Sequence, residues 1–258
     1  MKLSIITINY NNFEGLKKTF DSVFNQTFQD FEYIVIDGGS TDGSKELIEF
    51  NKDKISYWVS EPDKGIYNAM NKGIKVAKGE YLLFLNSGDY FYEQTVLKDN
   101  FFLFNDFDII YFRSIIKKLD GTLKTGYVPN KLSFSFFFNS SLNHQSILHK
   151  KSLFEKYGYY DEELEIVSDW KFLLLALCKF NSSYRFVDNP FTVFEMGGVS
   201  NNLSKQMLLK KERDNVLKDH FEMFLDVYQN REKLESIFNY YNNSKRVRLL
   251  KILKILKK

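Results

Sequence analysis

The first hundred residues alternate short, largely β-branched runs with stretches whose apolar positions recur every three or four residues. The apolar runs are "LSIITI" (3–8), "FEYIVID" (31–37), "ISYWVSE" (55–61) and the start of "EYLLFLNSGDYF" (80–91). Short runs of this kind, bounded by turn residues, read as strands, and the last as one buried on both faces. Between them, "NNFEGLKKTFDSVFNQ" puts Leu16, Phe20, Val23 and Phe24 at helical spacing. "DKGIYNAMNKGIKVAKG" turns Ile66, Met70, Ile74 and Ala77 inward in the same way. "SKELIEFN" is a shorter helix that Thr41 or Asp42 can cap. The alternation predicts an α/β fold, a parallel sheet with helices on both faces. Ligands of such sheets bind beyond the carboxyl ends of the strands, where Asp37 and Asp89 both stand.

Beyond Asp108 the pattern changes. "DIIYFRSIIKKLDGTLKTGYV" predicts a hairpin around Asp120-Gly121. "FSFFFNSSLNHQSILHK" is Phe-rich and then polar, and "SDWKFLLLALCKF" opens a buried helix after Ser168-Asp169. "SYRFVDNPFTVFEMGGVS" adds one or two strands and a glycine-bearing loop. From about residue 204 the chain is helical, charged and studded with Tyr and Phe. The expected organisation is a main domain over 1–204, with halves meeting near residue 100, and a helical extension over 205–258.

Composition narrows the reading. A chain of 258 residues with 44% hydrophobic content can bury one sizeable core. A net charge of +3 argues against a general polyanion binder, so no nucleic-acid partner is expected. The single cysteine, Cys178, excludes an internal disulfide and reads as a buried, inert thiol. With 3 histidines there is no Cys/His zinc spacing. The N-terminus lacks a signal peptide's apolar centre, and no run reaches the roughly 18 apolar residues of a spanning helix. A cytoplasmic location is expected. The end, "SKRVRLLKILKILKK", carries 7 Lys/Arg and no acid. Leu249, Ile252, Leu253 and Leu256 can share one helical face, as in a helix lying on anionic lipid. The alternative is that the same face packs on the body or on a second copy of the chain.

Four motifs carry candidate chemistry, each with a plainer alternative. "IDGGSTDGS" fits neither the dinucleotide nor the P-loop pattern. Asp37 is either an acceptor for a base or ribose or a turn former. Asp63-Lys64 is a phosphate-facing pair or a helix cap followed by a solvated lysine. Asn86-Ser87-Gly88-Asp89 offers an oxygen ligand for Mg²⁺ or Mn²⁺, or only a turn. In "VSDW", Ser168 or Asp169 is a helix cap and Asp169 a candidate general base.

Order and spacing of these motifs are more specific than any one of them. "SIITINYNN", "QTFQDFEYIVIDGGSTDGS", "SEPDKGIYNAMNKGIKVAKGEYLLFLNSGD" and "NHQSILHKKSLFEKYGYYDEELEIVSDWKFLLLAL" resemble the blocks of a family 2 glycosyltransferase with the GT-A fold. The resemblance runs from Leu3 to about Ser200 and is closest to bacterial members that build surface polysaccharides. It implies a Rossmann-like, mixed but mostly parallel sheet with a C-terminal helical extension. It implies an inverting transfer of one sugar from a nucleoside diphosphate sugar, with a lean to uridine, onto a saccharide acceptor. The processive Gln-x-x-Arg-Trp signature is absent. The resemblance places Tyr10 against the base with Thr7 and Asn11 nearby, and has Asp37 accept from the base. It lines the nucleotide and its phosphates with Asp63, Lys64, Asn71, Asn86 and Ser87. It makes Asp89 the metal ligand, although Asn86 and Gly88 replace acids usual in that turn. Asp169 matches the catalytic base. His144, Gln145 and Trp170 fall beside the acceptor, and Glu195 in a late loop near the donor. A divalent ion (Mn²⁺ or Mg²⁺) and a lipid-linked acceptor follow as expectations, as does an oligomer through the C-terminal helices. The competing readings are a non-catalytic nucleotide-sugar binder, suggested by the reduced acidic turn, and a nucleotidyltransferase.

Overall fold

The computed structural model describes residues 2–104, 107–195 and 205–244. Four strands open the chain: β1 (Leu3–Asn9), β2 (Glu32–Asp37), β3 (Tyr57–Ser60) and β4 (Tyr81–Phe84). They pair in parallel in the order β3-β2-β1-β4. Every residue of β1, β2 and β4 is buried, as the apolar run of β4 predicts for that strand. Helix α1 (Phe13–Phe24) packs Leu16, Phe20 and Val23 into one cluster with Ile5, Tyr33 and Val35, and Ile48 of α2 (Ser44–Phe50) joins it. Helix α3 (Ile66–Val76) covers the opposite face. There Gly73 lies so close to β1 that a Cβ would sit 2.5 Å from Ile6 Cγ2 and 3.6 Å from Ile36 Cγ1.

The sheet continues through the second half. β5 (Tyr90–Phe91) and α4 (Val96–Asn100) follow, then β6 (Ile109–Lys117) turns at Asp120-Gly121 into β7 (Leu123–Thr125), the expected hairpin. α5 (Phe134–Asn139) leads to β8 (Ile147–Lys150), α6 (Ser152–Tyr157), α7 (Ser168–Leu174) and β9 (Tyr184–Glu195). The full order is β3-β2-β1-β4-β8-β6-β9-β5, with β7 on β6. β8 is antiparallel to both its neighbours, β4 and β6. β1, β2, β3, β4, β6 and β9 therefore run one way, and β5, β7 and β8 the other. The segment expected to hold one or two strands is the single β9, bulged where Phe112 pairs with Val187 and Arg113 with Pro190. A bulge is where a strand tolerates proline.

The chain divides into two compact units, Met1–Leu209 and Lys210–Lys258. α8 (Gln206–Asn243) is the long C-terminal helix, kinked at Phe221 (φ −139°, ψ 23°). No helix among the described residues is long and apolar enough to cross a membrane. The basic end, 245–258, lies outside the described residues. Cys178 is only partly buried, in the π-helical turn Leu175–Lys179 that follows α7, and burial pushes its thiol up to about 11.

Candidate active site

The loops after β1, β2, β3 and β4 gather at one edge of the sheet, where strand order reverses between β1 and β4. That reversal is the ligand-binding crevice of open α/β sheets. The loop after β1 is pinned to the loop after β2. Asn11, at φ +47°, receives Thr41 N–H on its side-chain oxygen (2.9 Å) and donates its own N–H to Ser40 Oγ (2.8 Å). A left-handed asparagine is tolerated because its short side chain bonds locally. Tyr10 next to it is 66% exposed. Gly38 leaves room between Tyr10 and Asp63: a Cβ there would lie 3.1 Å from the ring and 2.6 Å from Asp63 Oδ2. An exposed ring and a carboxylate thus flank a bare stretch of backbone. The Asp63 carboxylate also accepts Gly65 N–H (2.9 Å) just ahead of α3.

Asp37 has a different task from the one the resemblance implies. It is fully buried. Oδ1 accepts from Asn9 Nδ2 (2.8 Å) and Ser40 Oγ (2.5 Å). Oδ2 accepts from Ser60 Oγ (2.6 Å) and the Ser40 and Gly39 amides (2.9 and 3.2 Å). Burial pushes its pKa up, but the Ser40, Ser60 and Asn9 bonds outweigh burial and hold it below the ordinary value. Protein donors occupy the acceptor sites, so this carboxylate ties the ends of β1, β2 and β3 together.

The turn after β4 is held from α1. The Thr19 hydroxyl donates to the Asp89 carbonyl (2.7 Å) and accepts Gly88 N–H (3.0 Å). Gly88 sits at φ +103°, which favours glycine. Asn12 caps α1 and donates to the Ser87 carbonyl (3.0 Å). Neither Thr19 nor Asn12 stands out in the sequence, because each reads as an ordinary helix residue or cap.

His144 closes the site from the other half of the chain. β8 runs antiparallel to β4, so the turn before β8 arrives beside the end of β4. His144 Nε2 lies 3.0 Å from Asn86 Nδ2 and 3.7 Å from Asp89 Oδ2. Its Nδ1 lies 3.7 Å from Asp169 Oδ2. One imidazole therefore stands between the two carboxylates singled out in the sequence. Burial lowers the His144 pKa, but Asp89 and then Asp169 reverse that and leave it raised. Burial raises the Asp89 carboxyl against the pull of His144. Asp169 is the second residue of α7, where a carboxylate suits the helix dipole, and its Oδ1 accepts the Tyr67 phenol at 2.9 Å. Asp169 lines a small cleft with Ile66, Tyr67, Met70, His144, Glu165 and Ile166. The Tyr67 contact is missed by the sequence reading, which gave the inward face of α3 to Ile66, Met70 and Ile74.

Several expected contacts are corrected. Thr7 is fully buried, its hydroxyl donating to the Leu85 carbonyl (2.7 Å) and facing the Tyr33 hydroxyl (2.9 Å). Trp170 is 2% exposed and donates its indole N–H to the Phe137 carbonyl (2.9 Å), so it joins α7 to α5 instead of walling an acceptor. Gln145 is buried, and so is Asn71, which bonds the Tyr160 backbone and Glu162. Ser168 and Asp169 are not caps: both lie inside α7, whose cap is Val167. Lys64 is exposed just ahead of α3. Glu195 ends β9, its side chain outside the described residues, as are 196–204.

The model of the family described as "Glycosyl transferase family 2" matches residues 4–152. This chain belongs to glycosyl transferase family 2. Its glycosyltransferase relatives include a PGL/p-HBAD biosynthesis glycosyltransferase of Mycobacterium bovis, 27% identical over 81% of this chain and 82% of that one. An uncharacterized glycosyltransferase of Mycobacterium tuberculosis is 34% identical over 67% of this chain and 68% of its own length. Solved structures share the fold. S. aureus TarS 1-349 in complex with UDP-GlcNAc aligns with a TM-score of 0.63 at 22% identity, over 77% of this chain and 59% of that one. The mannosyltransferase PcManGT from Pyrobaculum calidifontis, in complex with GDP-Man and Mn²⁺, aligns at 0.56 and 16%, over 75% and 56%. This glycosyltransferase thus spans less than two thirds of either solved chain.

For a divalent ion, the residues offer a partial set of ligands. Among the described residues no group of three or more His, Cys, Asp and Glu could hold a metal. Asp89 supplies one carboxylate, and the buried Asn86 Oδ1 has no hydrogen-bond partner. Mg²⁺ and Mn²⁺ sites commonly take one or two carboxylates and complete the shell with substrate phosphates and water. The residues fit an ion shared with a diphosphate better than one caged by protein.

Proposed function

We propose that this family 2 glycosyltransferase moves one sugar from a nucleoside diphosphate sugar, most simply a UDP-sugar, to a hydroxyl of a saccharide acceptor, with inversion. The observation that carries the reading is Asp169: a carboxylate in a cleft at the strand-end crevice, with Asp89 across a shared imidazole. In this reading Tyr10 stacks on the base, and Asp63 and Lys64 line the nucleotide and its phosphates. Asp89 and Asn86 would hold a divalent ion together with the diphosphate, and such an ion would supply positive charge against the leaving group. Asp169 takes the proton from the acceptor hydroxyl as its oxygen bonds to the anomeric carbon. The bond from that carbon to the diphosphate breaks on the opposite face, and the nucleoside diphosphate leaves. His144 stays beside both carboxylates and limits how far either can turn. The acceptor is a lipid-linked saccharide of surface polysaccharide synthesis, met at the inner face of the cell membrane through the basic end of the chain.

The test is a panel of UDP- and GDP-sugars with Mn²⁺, scored for nucleoside diphosphate release by the native protein and Asp169→Asn. A general base contributes typically about 10²–10⁴-fold. Asp169→Asn is expected to lose turnover by that order while still binding nucleotide. Near-native turnover would sink the assignment, and pyrophosphate release would point to nucleotidyl transfer.

A further inference from the structure

Helix α3 reaches the base-bearing segment at two points one turn apart. Tyr67 donates its phenol to Asp169 Oδ1 at 2.9 Å. Asn71 accepts Tyr160 N–H (3.0 Å) and donates to the Tyr160 carbonyl (2.9 Å) and Glu162 Oε1 (2.8 Å). Asn68 donates to the other Glu162 oxygen (2.8 Å). Residues 67 and 68 each neighbour residue 71 at helical spacing. The last stretch before α7 is tied down as well, by Asp161 N–H on Ser168 Oγ (2.5 Å) and Lys171 on Asp161 (2.6 Å).

Tyr67 is 5% exposed, its ring 5.7 Å from that of Tyr160. Burial first, and the charge of Asp169 second, push its phenol well above the ordinary value. The phenol keeps its proton and can only donate to the carboxylate. With Oδ1 held, rotation of the carboxylate is checked. Oδ2, which faces His144 Nδ1 at 3.7 Å, becomes the oxygen available to a new proton.

We propose that Tyr67 is a positioning residue of the transfer reaction, its phenol setting the Asp169 carboxylate so that Oδ2 meets the acceptor hydroxyl. The proposal rests on Asp169 being the general base. Its rival is that Asp169 merely satisfies a buried phenol, since buried tyrosine hydroxyls usually find a partner. Orientation matters because misplacing a reacting group by about 1 Å can cost on the order of 10²-fold.

A double-mutant cycle on the full chain separates the two. Native protein, Tyr67→Phe, Asp169→Asn and the double variant are assayed with the nucleotide sugar the native protein consumes. Tyr67→Phe is expected to lower kcat about 10- to 100-fold, as loss of a hydrogen bond to a charged group does, with donor KM within about threefold. The double variant is expected to match Asp169→Asn within about twofold, because an oriented base must be present for its orientation to matter. An unchanged kcat in Tyr67→Phe, or the full extra loss in the Asp169→Asn background, overturns the proposal. UDP binding by Tyr67→Phe, followed by calorimetry, should equal native. Loss of binding together with turnover would assign Tyr67 a structural role instead. A native rate in Asp169→Asn removes the base reading itself. A slow Asp169→Asn beside a native-rate Tyr67→Phe removes only the role of Tyr67.

Discussion

His149 lies on β8, the strand that follows the His144 turn, yet belongs to the core. It is 1% exposed among Phe84, Phe154 and Phe172, its Nδ1 has no partner, and burial, then the nearby His144, pull its pKa down to about 3. The unfolded chain binds a proton there near 6.5, and the folded chain does not. Stability is therefore lost as pH falls below about 6.5, by about 1.4 kcal/mol per unit until the folded pKa is reached. Between pH 6.5 and 5 that is about 2 kcal/mol. His149→Leu should show a denaturant-derived stability less dependent on pH by about that amount; an unchanged slope would mean His149 is not buried neutral. At this scale the sequence marks residue types well and directions poorly. A strand buried on both faces has no polar-apolar alternation, so nothing in "LSIITI" says that the Thr7 hydroxyl turns inward to Tyr33 and Leu85. Asp37 could be either a ligand acceptor or a turn holder until its donors are known. Tyr67 adjoins the apolar stripe of α3 and reads as one more core aromatic.

Among elements, the parallel strands and the helices between them were legible because each carries one unmixed signal. β1 and β4 are continuous apolar runs, and α1 and α3 keep helical spacing. The second half mixes its signals. β5 is two residues long, α5 is a Phe-rich run without period, and β9 holds a proline that argues against a strand until its bulge is seen. Gly73 in α3 shows how packing overrides local preference. Alanine improves a helix interior by about 1 kcal/mol over glycine. Here its Cβ would meet Ile6 Cγ2 at 2.5 Å, and that β-branched side chain is fixed on a central strand. Overpacking of this kind costs about 1–3 kcal/mol. Gly73→Ala should therefore lower stability, by up to about 2 kcal/mol net, in urea unfolding. A more stable variant would show that α3 can lift off β1.

For the whole molecule, the edge of the sheet where the loops after β1 to β4 gather was legible in the sequence pattern, whereas the meeting of Asp89, His144 and Asp169 was not. It depends on β8 entering antiparallel beside β4, which local patterns do not encode. The basic end calls for a test of the entire chain. With 7 Lys/Arg among leucines and isoleucines in its last fifteen residues, full-length protein should co-sediment with vesicles rich in phosphatidylglycerol, and a 1–244 version should not. Equal sedimentation would remove the end as an anchor. The β4–β8 seam bears on how such enzymes can be recombined. Tyr81, Leu82 and Leu83 pair with Lys150, His149 and Leu148, so β8 seals the outer edge of a strand that is apolar on both sides. A chimera cut anywhere between residues 91 and 144 takes β4 from one parent and its seal from the other. A mismatched seal leaves an unpaired apolar edge, which recruits other chains. The module to exchange is therefore the first half together with the strand at 147–150.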